Sequence, residues 1–185
     1  GALEQAERQV GPGITVRLLF SAHGLPESIV SDGDPYRWQV EQTVKAVLRA
    51  LGGGRRPHTI CFQSRVTPQK WIGPSTTEAI RAAAAAGEAV LVVPIAFVSD
   101  HSETLVELDV EYREEAERAG IKGYFRAPAP NSDPRFIAAL ADLVRRIRER
   151  PPGLSSFAGP RLCPALHCCC PHGIEAEAAR EKVAA

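Results

Sequence analysis

The sequence predicts an α/β fold: a parallel four-stranded sheet flanked by helices. Three observations carry that expectation. Four short runs rich in branched apolar residues fall at 14–20, 58–63, 89–97 and 123–128; helix-forming segments with start or stop signals lie between them; and no internal repeat has a solenoid period. The order βαβαβαβα requires crossover helices, and these make the strands parallel. A chain of 185 residues suits one such domain plus an appendage.

In chain order, residues 1–12 form a charged lead-in expected outside the core, and the domain is expected to span 13–150. Residues 14–20 (ITVRLLF) are the first buried strand. Gly24 and Pro26 stop it, so His23 falls at its carboxyl end or in the next loop. A loop runs to Asp34-Pro35, where Asp as N-cap and Pro at the first helical position start a helix that ends at Gly52-Gly53-Gly54. The strand at 58–63 (HTICFQ) leads to a loop bearing Arg65, Lys70 and Trp71. Ser75 and Glu78 have capping-box spacing before an alanine-rich helix ending at Gly87. The third strand follows, then a helix to Gly120, the fourth strand, and a helix over 135–150 opened by Asp133-Pro134. From 151 to 185 the composition shifts to Pro, Gly, Ser and Cys, and this stretch is expected to be a cysteine-rich tail.

Lys and Arg total 22, as do Asp and Glu, so no bulk field draws the chain to nucleic acid or anionic lipid. No apolar run reaches the length of a membrane span, and the first residues lack a basic-then-apolar order, so the expected location is the cytoplasm.

Three groups lie just past strand ends: His23, the Arg65/Lys70/Trp71 loop, and Asp100-His101-Ser102-Glu103. Strand carboxyl ends share one edge of a parallel sheet, so these groups can meet in one cleft. His23 opposite Glu103 is either a base and its carboxylate or an N and O pair of ligands for a divalent transition ion. Glu103, Glu107 and Glu111 lie four apart; on an α-helix each step turns about 400° and drifts about 40°. They form one acidic ridge, which a π-bulge would align. The bland readings are a hydrogen-bonded loop histidine, a solvated glutamate face and a tryptophan anchoring its loop. No Gly-x-Gly-x-x-Gly follows a strand, which argues against a nucleotide binder.

Cys163, Cys168, Cys169 and Cys170 cluster beside His167 and His172. Thiolates at this density suit an iron–sulfur cluster or zinc, against the alternative of a disordered tail with free thiols. Cys61, inside a strand, reads as a small core residue.

The segments SAHGLP, GDPY at 33–36, QSR-x-x-P-x-x-W-x-GP at 63–74 and PIAF-x-SDH-x-ETL-x-ELD-x-EY at 94–112 together resemble ferrochelatase, which inserts ferrous iron into a porphyrin. The resemblance covers 14–148 and implies a Rossmann-like, chelatase-like domain. It implies catalytic roles for His23 and Glu103, and contact of iron with His23, Glu103, Glu107 and Glu111. It also implies porphyrin contact by Ser21, Trp71 and His101. Asp100 matches the same motif. From the histidine standing opposite several carboxylates, His23 is expected to be the proton acceptor rather than a ligand. The expected partners are porphyrin and ferrous iron, without nucleic acid, and peripheral membrane contact stays open. Some family members hold a [2Fe–2S] cluster on carboxyl-terminal cysteines, which implies the same for Cys163, Cys168 and Cys170. Only the second of the family's two related halves is matched. A fragment, a split subunit, or a homodimer like the small chelatases are the readings open, with a fragment favoured. The alternative function is a non-catalytic porphyrin- or metal-binding half-domain that needs a partner chain.

Overall fold

The computed structural model describes residues 1–53, 55–64, 67–150 and 161–172, with Glu103 described by its backbone alone. The elements run α1 (Ala2–Val10), β1 (Val16–His23), α2 (Glu27–Ser31), α3 (Tyr36–Ala50), β2 (His58–Gln63), α4 (Thr76–Ala85), β3 (Ala89–Pro94), α5 (Ser102–Leu105), a π-helix (Val106–Glu111), α6 (Tyr112–Arg118), β4 (Tyr124–Arg126) and α7 (Pro134–Arg148). Contacts divide the chain into two compact units: Gly1–Pro26 with Val40–Asn131, and Glu27–Gln39 with Ser132–Ala185.

The first unit holds the sheet. All strands are parallel, in the order β2-β1-β3-β4. The chain steps from β1 to β2 in one direction and then crosses back to β3 and β4. Right-handed crossovers therefore put α3 on one face, and α4 with α6 on the other. Side-chain alternation in β1 serves both faces. Val16, Leu18 and Phe20 pack with Ala6 of α1, Val44 of α3 and Leu91. Leu19 packs with Cys61, Ile80 of α4, Val92, Leu108 and Ala116. Cys61 is fully buried, as its reading as a core residue requires, and burial pushes its thiol up to about 12.

Local signals set most helix starts. The Ser75 hydroxyl accepts from the Glu78 N–H at 3.2 Å, and the Glu78 carboxylate accepts from the Ser75 N–H at 2.6 Å. In the second unit Asp34 accepts from the Tyr36 N–H at 2.8 Å, and Asp133 from the Arg135 N–H at 2.9 Å.

The expected lead-in proves to be α1, with Ala6 wholly buried against the sheet. Its small side chains let the helix approach closely, a packing property that a charged composition hides. The loop expected after β1 contains α2, β3 stops at Pro94 rather than at 97, and β4 has only three residues. Among the described residues, no helix is long and apolar enough to cross a membrane.

Candidate functional site

With every strand parallel, the carboxyl ends form one edge, and the strand order reverses between β1 and β3, the place at which open α/β sheets bind their ligands. His23 ends β1. Its register partner across the ladder is Gln63, the last residue of β2. The His23 Nδ1 lies 2.7 Å from the Gly24 carbonyl oxygen. A carbonyl only accepts, so this nitrogen carries a proton, and Nε2 is the ring nitrogen at which a second proton can be taken up or released.

The expected break from α-helical geometry is present after β3. Val106–Glu111 form a π-helix, closed by the Tyr112 N–H donating to the Glu107 carbonyl. Side chains from outside the helix support the widened turn. The buried Tyr124 hydroxyl donates to the Leu108 carbonyl at 2.5 Å, and Arg113 Nε donates to the Asp109 carbonyl at 3.2 Å. Leu108 anchors the inner face at full burial; Glu107 is half-buried and Glu111 exposed.

Glu107 is tied to the end of β2. Gln63 Nε2 donates to its carboxylate at 2.7 Å, and Ser64 Oγ lies 2.9 and 2.8 Å from its two oxygens. Ser64 sits at φ 62°, a left-handed backbone that a non-glycine residue adopts only when its surroundings require it. Behind Gln63, Ser21 Oγ donates to Gln63 Oε1 at 2.9 Å and lies 3.1 Å from Thr76 Oγ1. Burial first, and then the charge of Glu107, push the Tyr112 phenol up.

Several expected site residues sit elsewhere. Ser21, expected at the porphyrin, is wholly buried in this hydroxyl–amide chain, because side-chain alternation turns it toward α4. Trp71 is only 9% exposed; its Nε1–H donates to the Thr67 carbonyl at 3.1 Å, and Pro26 bridges to it. A Cβ on Gly24 would lie 3.0 Å from the indole, so Trp71 anchors the turn after His23 rather than offering an open face. Its ring centroid lies 6.5 Å from that of His23. His101 is exposed; its Nε2 lies 3.1 Å from the buried Thr104 hydroxyl and its ring lies beside Phe97. Glu103 belongs to α5, but its side chain lies outside the described residues, as does Arg65, and Lys70 is exposed. Gln63 and Ser64 were not singled out in the sequence. The available signal was parity: Gln63 is polar on the same side of β2 as the buried Cys61, at the strand's carboxyl end.

Asp100 has a structural partner set. Its carboxylate accepts from Asn131 Nδ2 at 2.8 Å and from Arg126 at 2.9 Å, and Arg126 also reaches Asp109 at 2.6 Å. Asn131, and then Arg126, hold this carboxyl below its ordinary value. A lowered native pKa contributes stability above the unfolded-state value of about 4, and that stability is lost as pH falls through the native one. Asn131→Ala is therefore expected to lower the urea midpoint at neutral pH, with the difference from the parent narrowing in acid to the part that does not titrate, the lost bond from the Asp100 N–H and the φ of 48° that alanine adopts with strain. A difference that persists unchanged in acid would refute this linkage.

The described part of the cysteine segment, in the second unit, is folded in on itself. Cys168 and Cys169 Sγ lie 3.2 and 3.3 Å from the Asp32 carbonyl oxygen. Gly33 has φ 104°, and a Cβ there would lie 2.5 Å from Cys168 Sγ. Cys163 and Cys170 are buried, and Arg161 Nε donates to Cys163 Sγ at 3.2 Å. Among the described residues, no three His, Cys, Asp or Glu side chains are grouped to hold a metal ion. The thiols of Cys163, Cys168 and Cys170 thus do not fit the converging donor set that a [2Fe–2S] cluster needs. Residues 151–160 and 173–185 of the expected tail lie outside the described residues.

A family model described as ferrochelatase matches residues 2–147. The chain is 47% identical over 173 residues to a ferrochelatase of Phenylobacterium zucineum, covering 92% of this chain and 50% of that protein. It is 44% identical over 158 residues to one of Pelagibacter ubique, covering 82% of this chain and 46% of that protein. The chain therefore spans about half the length of the curated relatives it matches. Among solved structures, a putative cobalamin biosynthesis CbiX protein of Marinobacter aquaeolei aligns with a TM-score of 0.50 at 19% identity, covering 74% of this chain and 99% of that one. That likeness shows the chelatase-like fold.

Proposed function

This chain belongs to the ferrochelatase family, and from that membership we propose that its site serves the insertion of ferrous iron into a porphyrin to form haem. One observation carries the reading. Gln63 pairs with His23 across the sheet and grips Glu107 with its side chain, so a strand-end base and a helix-borne carboxylate share one edge.

The reaction exchanges two pyrrole N–H protons for one Fe²⁺, and both protons must leave the ring. His23 suits the acceptor role because its Nδ1–H is directed to Gly24, which leaves Nε2 as the nitrogen that takes a proton. Glu107 and the exposed Glu111, on the π-helix, supply negative charge for the incoming cation or for departing protons. Glu103 joins them by its place in the motif as the partner of His23, and His101 borders the same stretch. Ser21 and Trp71 act one step back, Ser21 through Gln63 and Trp71 through the Gly24 turn. The opposite wall of the porphyrin cleft comes from polypeptide outside this chain or from a second copy.

Anaerobic incubation of the full chain with Fe²⁺ and protoporphyrin tests the proposal. Conversion of the free-base spectrum to that of haem is expected, with light scattering giving the mass of the active species. Porphyrin binding without conversion, in monomer and dimer alike, would leave a binding half-domain and overturn catalysis by this chain alone.

A further inference from the structure

The hydroxyl–amide chain behind Glu107 has a single self-consistent direction. Ser21 gives its one O–H to Gln63 Oε1 at 2.9 Å, so the 3.1 Å contact with Thr76 must have Thr76 as donor. Gln63 in turn presents Nε2–H to Glu107 at 2.7 Å. Every donor therefore points toward the carboxylate, and bonds aligned in this way strengthen one another at low dielectric. Flipping the amide would set Oε1 against a carboxylate oxygen and remove the acceptor from Ser21. Thr76 and Ser21 are fully buried and Gln63 is 1% exposed, so water has no access to repair a broken link. Ser64 holds the same carboxylate from the strained turn that follows β2.

We infer that Gln63 is a positioning residue for the metallation site, with the Thr76–Ser21 hydroxyl pair setting its amide, so that Glu107 meets the incoming cation as a fixed carboxylate. This rests on the metallation reading of Glu107. Gln63 does not touch iron or porphyrin in this role; it acts through Glu107, and Thr76 acts two hydrogen bonds farther back.

Calorimetric titration of the full chain with Co²⁺ alone, in place of the oxidation-sensitive Fe²⁺, tests the inference. Gln63→Leu is expected to weaken cation binding about tenfold or more, as loss of a partner to a ligating group does. Thr76→Val, nearly isosteric but lacking the hydroxyl, is expected to weaken it about threefold, while Thr76→Ser binds as the parent does. In metallation assays the KM for the metal rises and that for the porphyrin stays. If Gln63→Leu fails to fold, the two Thr76 variants carry the test, since their difference is one hydroxyl. Parental Co²⁺ affinity in Thr76→Val, with loss in Glu107→Gln, would overturn the relay and leave the proposed function standing. Parental affinity in Glu107→Gln as well would remove Glu107 from the metal path, and the inference with it.

Discussion

His23→Ala is expected to lower the turnover number for porphyrin metallation by about 10²–10⁴-fold, the range for loss of a positioned general base. The residue ends the central strand β1, where ladder bonds to β2 fix its backbone. Its ring is aimed by the Nδ1–H bond to Gly24, and the Gly24 turn is itself packed against Trp71. The substitution removes a half-buried side chain at the sheet edge and leaves the Leu18, Leu19 and Phe20 core below it untouched, so the fold should survive. Steady-state kinetics with both substrates varied separates the roles. A fall in kcat with the iron KM little changed identifies the proton acceptor. Retained turnover with iron affinity alone lost would make His23 a ligand instead.

Glu107→Gln is expected to weaken divalent cation binding by about 10–100-fold while porphyrin affinity stays. Two donors now converge on this carboxylate, Gln63 Nε2 at 2.7 Å and Ser64 Oγ at 2.8 Å. Both donors already reach the same oxygen, Oε2, and an amide oxygen in that place can accept from each, so the substitution removes the charge and leaves both hydrogen bonds as neutral ones. Hydrogen bonds to a charged group contribute about 1.5–3 kcal/mol each. The Tyr112 phenol, pushed up by burial and then by the Glu107 charge, should titrate at lower pH once that charge is gone. A variant with parental cation affinity and an unmoved Tyr112 absorbance titration would refute the fixed-carboxylate reading.

Much of the architecture was legible because its signals are local. The branched apolar runs became β1 to β4, the Ser75–Glu78 box opens α4, and both Asp-Pro pairs cap their helices. The two ends of the chain were less legible. Ala6 in α1 is buried by close approach to the sheet, which a charged stretch does not advertise, and the described part of the cysteine-rich segment packs on the Asp32-Gly33 turn, which its composition does not show.

At the candidate site the sequence by itself determined which chemical groups stand at strand ends: His23 closing β1, Gln63 closing β2 with Ser64 next, and an acidic helix after β3. Strand periodicity and breakers act over a few residues, so these positions follow from the chain alone. Only the tertiary structure decided what the groups do to one another. It turned Ser21 inward to Gln63 instead of outward to a ligand, made Trp71 an anchor, and joined Gln63 to Glu107 across 44 residues of sequence. The reason is physical: a hydrogen bond depends on distance and direction in space, and those are set by how strands register and helices pack, not by spacing along the chain.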